Sequence, residues 1–197
     1  AYSLRGGLRI SVEVVLWLRT KIAMPLPAEL LDCSLIDLSG ARAVGAVYQE
    51  AAVVVIAEPV LEEILEYSER GRRCEVGGFL LGDISGEKTP FVVIKHFHPA
   101  IQAVSGAASL TFTHETWADL HRQVEQKHPG ELVVGWHHTH PGFGVFLSGY
   151  DLFIHRNFFP EAWQVALVVD QGEHEFGFFQ WREGEVKDCG FLCAVGR

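Results

Sequence analysis

The sequence predicts a layered α/β (α+β) domain in which helices cover a central mixed β-sheet. Apolar patterns typical of helices and of strands alternate along the chain from about residue 53 onward, which favours this layering. The chain has 197 residues and 48% apolar composition, enough for one buried core plus an extension. We therefore expect one domain over residues 53–197, preceded by an N-terminal extension over residues 1–52.

The N-terminal extension contains two candidate elements. Apolar and polar residues alternate over 8–18, which predicts a strand, and residues 28–38 predict a short helix. Pro25 and Pro27 interrupt the chain between them. The extension could pack on the core, guide a substrate or mediate dimerisation, and its sequence does not choose among these roles.

The first part of the domain predicts a strand, a helix and a pair of strands. The apolar run VVVIAEP predicts a buried strand, and Pro59 suits the first turn of a helix that Gly71 closes. Residues 75–82 and 91–97 predict two strands facing each other across the turn GDISGEKTP. Gly77 and Gly78 in the first of these permit a neighbouring backbone to approach closely.

The second part of the domain continues the alternation. Thr113 is a suitable N-cap for a helix over 114–128, which ends at Pro129-Gly130. This helix is expected to bury Trp117, Leu120 and Val124. The remaining predicted elements are a helix over 152–159 and strands over 164–170 and 175–181.

The segment VVGWHHTHPGFGVFLSGYD, residues 133–151, holds the residues suited to chemistry. His138 and His140 alternate on a predicted strand, so both imidazoles point to the same side. Ser148 follows after seven intervening residues, and Asp151 lies three positions later, in the first turn of a predicted helix. Two imidazoles and one carboxylate, with one position left for water, are the ligand set of a catalytic zinc.

Each part of this pattern has an ordinary structural alternative. Ser148 and Asp151 also have the spacing of a capping box, and paired histidines occur on half-buried strands. The full pattern favours the metal site. His137 faces away from its neighbours on the strand and is a poor ligand, and for His155 a solvent-exposed position is favoured over contact with a ligand.

Charge and cysteine content limit the partners and the compartment. The formal net charge of −9, without a dense basic cluster, argues against binding to nucleic acid. Cys33, Cys74, Cys189 and Cys193 form no Cys-x-x-Cys pair, which favours reduced thiols in a cytoplasm. No apolar run reaches membrane-spanning length and no signal peptide is recognised, so we expect a cytoplasmic protein without a membrane partner.

The metal pattern resembles that of the JAMM (MPN-plus) metalloproteases, which include the proteasome-lid deubiquitinase and the signalosome deneddylase. Pro141-Gly142 follows the histidines and Leu147-Ser148-Gly149 precedes the aspartate, as in that family. The family also needs an upstream glutamate on a strand, and Glu75 in CEVGGFLLGD matches it. The resemblance spans roughly residues 53–187.

This resemblance implies a role for each matched residue. His138, His140 and Asp151 would be zinc ligands, Glu75 the general acid and base, and Ser148 a stabiliser of the oxyanion. It also implies a cytidine-deaminase-like mixed sheet sandwiched by helices.

The activity that the resemblance implies is cleavage of an isopeptide or peptide bond after the Gly-Gly tail of ubiquitin or a ubiquitin-like protein. Only about a dozen residues separate Asp151 from the next strand, which favours a compact, prokaryotic-type enzyme. Two alternatives are a hydrolase that trims a sulfur-carrier or ubiquitin-like precursor, and a non-catalytic MPN scaffold in a complex. Scaffold members typically lose ligands or the glutamate, whereas this chain keeps all five positions.

A short segment near the N-terminus repeats the tail of ubiquitin. Leu4-Arg5-Gly6-Gly7 could be a substrate mimic, although a flexible entry to the following strand explains it adequately.

Overall fold

The computed structural model describes residue 38 and residues 40–48, 50–71, 73–86 and 90–194. The strand predicted over 8–18 and the segment Leu4 to Gly7 lie outside the described residues. So does the helix predicted over 28–38, except for its last residue.

The described residues form a mixed sheet of nine strands, a two-stranded hairpin and three helices. The strands are β1 (Arg42–Val44), β2 (Val53–Ala57), β3 (Gly77–Ser85), β4 (Phe91–Pro99), β5 (Val104–Gly106), β6 (Ser109–Thr111), β7 (Leu132–Thr139), β8 (Val165–Asp170), β9 (Glu175–Arg182), β10 (Glu185–Cys189) and β11 (Phe191–Ala194). The helices are α1 (Glu58–Arg70), α2 (His114–Lys127) and α3 (Gly149–Phe158).

The large sheet has the strand order β1-β11-β2-β4-β3-β7-β8-β9-β10, and β5 pairs with β6 as a separate hairpin. Strand pairs β11–β2, β2–β4 and β7–β8 are parallel, and the other neighbours in the sheet are antiparallel. The central strands β3 and β7 lie next to each other, and the ends of these two strands position the candidate site.

Helices cover both faces of the sheet. On one face, Leu61 and Ile64 of α1 pack with alternate residues of the sheet such as Leu167. On the other face, Leu120 of α2 and Ile154 of α3 pack around Trp136. The predicted α/β (α+β) architecture, a mixed sheet sandwiched by helices, is confirmed.

Several predicted elements differ from the observed ones at their ends. The strand predicted over 75–82 begins at Gly77 and continues to Ser85, so it takes up the first residues of GDISGEKTP. In α2, Leu120 is buried as expected, whereas Trp117 and Val124 are only partly buried. Thr113 caps α2 as predicted, because its hydroxyl accepts a hydrogen bond from the Thr116 amide.

The sequence analysis did not predict the four short strands β5, β6, β10 and β11. Strand β11 has only four residues, yet it inserts in parallel beside β2. Strand β1 belongs to the segment predicted as an N-terminal extension, and it pairs antiparallel with β11. The domain boundary at residue 52 stays a prediction. Such short segments depend on partners distant in sequence and carry little periodicity of their own.

The cysteines in the described part of the chain are free thiols, at Cys74, Cys189 and Cys193. Burial raises the pKa of both Cys189 and Cys193 to about 12, so these two thiols stay protonated and weakly reactive.

None of the helices in the described ranges is both long enough and apolar enough to cross a bilayer.

Candidate metal centre

His138, His140 and Asp151 converge at the end of β7. His138 lies on β7 opposite Gly77 of β3, and His140 follows the strand, with its amide donating to the Val169 carbonyl over 2.8 Å. The two Nε2 atoms are 3.1 Å apart. Asp151, in the first turn of α3, places Oδ1 at 3.4 Å from His138 Nε2 and Oδ2 at 3.6 Å from His140 Nε2. All three side chains are buried.

This donor set fits a tetrahedral zinc ion. Zinc bonds of about 2.0–2.2 Å place tetrahedral ligand atoms about 3.3 Å apart, close to the separations found here. His140 Nδ1 donates to the Gly144 carbonyl over 2.8 Å, so in the neutral imidazole Nε2 carries the lone pair facing the other two side chains. The observed geometry therefore presents two imidazoles and one carboxylate to a common centre.

Ser148 and Asp151 also form the capping box that the spacing allows. The Ser148 hydroxyl accepts from the Asp151 amide at 3.2 Å, and Asp151 Oδ2 accepts from the Ser148 amide at 2.7 Å. Burial alone would raise the pKa of Asp151, but hydrogen bonds with His138, His140 and Ser148 and the charge of His138 lower it. The cap thus orients an ionised carboxylate toward the histidines, and the two interpretations of the spacing are compatible.

Glu75 lies just before β3 rather than within it, so its predicted place on the strand is wrong. The Val76 amide donates to Thr139 Oγ1 and the Thr139 amide donates to the Val76 carbonyl, both over 2.9 Å. These bonds extend the pairing of β3 with β7 beyond Gly77 and bring Glu75 beside His140. The Glu75 amide is held by the Gly106 carbonyl at 2.8 Å.

The environment of Glu75 suits a group that exchanges protons near neutral pH. Its side chain is buried, and burial is the main cause that raises the pKa of Glu75 to about 7. His140 opposes this rise and Asp151 adds to it. A carboxyl with this pKa can both accept and release a proton at physiological pH.

Gly77 is needed for the close approach of β3 to β7. A Cβ atom at Gly77 would lie 2.1 Å from the His137 carbonyl oxygen, and one at Gly78 would lie 2.4 Å from that of His98. The expectation that these glycines permit close backbone contact is confirmed.

A cavity of about 330 Å³ opens over these residues. Its lining comprises Glu75, Ala108, His140, Phe143, Phe146, Ser148, Tyr150 and Asp151. Phe143, Phe146 and Tyr150 each leave roughly half of their surface exposed. The candidate ligands, the glutamate and the serine therefore face one accessible space with an aromatic rim.

Asp170 organises the loop that orients His140, and sequence reasoning missed it. This buried carboxylate, at the end of β8, accepts from the amides of Gly142, Gly172 and Glu173 through Oδ1 and from the Gly144 amide through Oδ2. Gly142 and Gly144 have φ of +83° and +91°, which favour glycine. Because the Gly144 carbonyl accepts from His140 Nδ1, Asp170 acts on His140 through this loop.

We expect Asp170→Asn to weaken zinc binding about 10- to 100-fold, the usual scale for groups behind the ligands. The amide oxygen can still accept from Gly142, Gly172 and Glu173, but its NH₂ group would then face the Gly144 amide, and two donors repel. Competition with a chromophoric chelator measures the affinity. Asp188→Asn, at an exposed position, is the control; wild-type affinity in Asp170→Asn would show that the loop does not orient His140.

His137 and His155 lie outside the candidate ligand group. His137 faces the opposite side of the sheet, as expected, where its Nδ1 donates to the Leu167 carbonyl over 3.1 Å and its Nε2 lies 3.0 Å from Ser68 Oγ. The expectation that His155 is exposed is wrong, because its side chain is fully buried. Asp151 and His155 are four residues apart on α3, a spacing that could have indicated a shared face.

His155 supports one of the candidate ligands through Trp136. The Trp136 indole donates to His155 Nδ1 over 3.0 Å and stacks on the His138 ring, with ring centroids 4.6 Å apart. Burial lowers the pKa of His155 to about 4, so the ring stays neutral above that pH.

His155 should make the metal-free protein less stable in mild acid. The pKa of His155 is about 4 in the folded protein and about 6.5 in the unfolded chain. Between these pH values only the unfolded chain binds the proton, so the free energy of unfolding is at its full value above about pH 6.5 and falls as the pH is lowered toward 4. His155→Gln should reduce the slope of the unfolding free energy against pH in this range by up to about 1.4 kcal/mol per pH unit. Denaturant unfolding with chelator from pH 7 to 4.5 measures it, with exposed His121→Gln as control; an unchanged slope in His155→Gln would contradict the assignment.

Comparison with known proteins agrees with this architecture. Residues 49–160 match the family described as JAB1/Mov34/MPN/PAD-1 ubiquitin protease. The chain is 35% identical over 118 residues to the 26S proteasome regulatory subunit RPN11 of Eremothecium gossypii, covering 59% of this chain and 37% of that protein. It is 34% identical over 145 residues to the 26S proteasome non-ATPase regulatory subunit 14 of Drosophila melanogaster, covering 69% of this chain and 46% of that protein.

The chain thus spans less than half the length of these curated relatives. A solution structure of a protein from Desulfitobacterium hafniense shares the fold, with a TM-score of 0.54 at 16% identity, covering 73% of this chain and 92% of that one. With more than half of its residues matched to the family and the fold in agreement, this chain belongs to the JAB1/Mov34/MPN/PAD-1 ubiquitin protease family.

Proposed function

We propose that this protein is a zinc-dependent isopeptidase or peptidase that cleaves after the C-terminal Gly-Gly tail of ubiquitin or a ubiquitin-like protein. The observation that supports it most is the convergence of His138, His140 and Asp151 with buried Glu75 around one cavity. The family description supplies the ubiquitin-related substrate class. The net charge of −9 gives no reason to expect a nucleic-acid partner.

His138, His140 and Asp151 would hold the zinc, which when bound supplies a Lewis acid that activates water and polarises a carbonyl. Glu75 accepts a proton from the attacking water and delivers it to the leaving amine. The carbonyl carbon gains an oxygen from water while its bond to the amine nitrogen breaks, so a free Gly carboxylate and an amine result. A pKa near 7 allows Glu75 to perform both transfers in one cycle.

Ser148 would stabilise the negative charge that develops on the substrate carbonyl oxygen. In the capping box its Oγ accepts a hydrogen bond, so its hydroxyl hydrogen can be donated into the cavity that it lines. One hydroxyl can thus cap α3 and act on the substrate.

We expect Ser148→Ala to retain zinc and to lose roughly 10- to 1000-fold in turnover, the scale of one oxyanion donor. Loss of the cap should also destabilise the protein by about 1 kcal/mol. Thr113→Ala is a matched control, because it removes the same kind of capping box from α2, outside the cavity lining. If both variants lose stability but neither loses turnover, Ser148 serves only as a cap.

The activity is tested with a panel of ubiquitin and ubiquitin-like proteins, each fused through its Gly-Gly tail to a reporter, together with lysine-linked conjugates. Mass spectrometry should find at least one member cleaved directly after Gly-Gly by zinc-loaded protein, and not by His140→Ala. Cleavage of linear fusions alone would favour precursor trimming over isopeptide hydrolysis. A folded, zinc-loaded protein that cleaves no member would instead support the scaffold alternative.

A further inference from the structure

A second group of metal-ligating side chains lies at the opposite end of β7. His96 is on β4, His128 caps the C-terminus of α2, and Glu131 directly precedes β7. His138 and His140 lie at the other end of β7, seven and nine residues beyond Glu131, which corresponds to roughly 23–30 Å along an extended strand. The second group is therefore separate from the candidate centre at Asp151.

The geometry of this second group is close to that of the first. His96 Nε2 lies 3.2 Å from Glu131 Oε1, and His128 Nδ1 lies 3.7 Å from Glu131 Oε2. One potential ligand atom from each residue lies within 4.8 Å of the other two. These separations bracket the distance of about 3.3 Å between ligands of tetrahedral zinc.

Glu131 has an oxygen that the protein leaves unsatisfied. The Glu131 side chain is only 16% exposed, and its Oε2 atom is buried without a hydrogen-bond partner among the described residues. A buried carboxylate oxygen without a partner is costly, and a cation between it and the His128 ring would remove that cost. The His96 side chain is 45% exposed, which leaves room for water as a fourth ligand.

We infer that His96, His128 and Glu131 form a second binding site, for a divalent transition metal of the zinc type. Two imidazoles and a carboxylate suit such an ion better than Mg²⁺ or Ca²⁺, which prefer oxygen ligands. The three residues come from β4, the end of α2 and the residue before β7, so a bound ion would link these three elements. It would hold α2 against the sheet, on the face where Leu120 packs around Trp136.

The inference is tested by counting zinc ions bound to untagged protein that has been stripped with chelator and then titrated calorimetrically. Wild type should bind two equivalents per chain, His96→Ala and His138→Ala one each, and the double variant none. His98→Ala is the matched control, because His98 is a neighbouring histidine that pairs with Asp119 at 3.0 Å, and it should still bind two.

Thermal unfolding gives a second measurement that does not depend on activity. In the His138→Ala background, zinc should raise the melting temperature, and His128→Gln should abolish that rise. If wild type binds one equivalent that His138→Ala removes, and zinc leaves the melting temperature of His138→Ala unchanged, the second group is only an ion pair. That result would overturn this inference without affecting the proposed hydrolase activity.

Discussion

Glu75→Gln should keep the fold and the bound zinc while turnover falls about 100- to 10,000-fold, the range for loss of a general acid–base group. Glutamine has nearly the same shape but cannot accept a proton at neutral pH. Glu75 is not among the three residues whose ligand atoms converge, so metal content should not change. Its burial, which raises the pKa to about 7, is what suits it to the role that the substitution removes.

The experiment compares cleavage rate, zinc content and the circular dichroism spectrum of the variant with those of wild type. Glu125→Gln, an exposed substitution on α2, is the control and should match wild type in all three. Wild-type turnover in Glu75→Gln would remove Glu75 from the mechanism even if the metal centre is correct. Loss of zinc in Glu75→Gln would instead mean that the glutamate contributes to metal binding.

His140→Ala should lose zinc from the candidate centre and activity together. The substitution removes one of three ligand atoms, and the remaining His138 and Asp151 cannot fix a tetrahedral ion. Its hydrogen bond to the Gly144 carbonyl is lost as well, so the Gly142–Gly144 loop loses its contact with the centre. Elemental analysis should show one equivalent fewer per chain, and cleavage should fall to background.

His137→Gln separates this effect from general damage to β7. His137 is a fully buried residue of β7 whose side chain lies on the opposite face of the sheet, where its ring forms a hydrogen bond with the Leu167 carbonyl. Its substitution should lower stability but leave the zinc equivalents unchanged. If His137→Gln loses zinc to the same extent as His140→Ala, metal loss reports on folding of the strand and not on a ligand.

Local rules were sufficient to predict where the candidate ligands meet. The alternation of side chains on β7 places His138 and His140 on one side, and the Ser148–Asp151 capping box fixes the start of α3. Both depend on residues within a few positions of each other. The position of Glu75 depends instead on the register between β3 and β7, which is why the residue was assigned to the strand and not to the segment before it.

Features that sequence patterns did not reveal depend on distant contacts. Asp170 accepts from backbone amides of Gly142 and Gly144, and backbone donors leave no signature in the residues that provide them. His155 was expected at the surface because a polar residue on a helix usually faces solvent, but Trp136 provides a buried donor for it. Strand β11 lies between β1 and β2, both more than a hundred residues earlier in the chain.

The most direct test of the central claim is to measure zinc content and cleavage rate on the same preparations of wild type, Glu75→Gln and His140→Ala. A responsive substrate from the fusion panel provides the rate. We predict that wild type has both full zinc and activity, Glu75→Gln has full zinc without activity, and His140→Ala has lost the zinc of this centre together with activity. Equal cleavage rates in all three preparations, whatever their zinc content, would contradict hydrolysis at this centre.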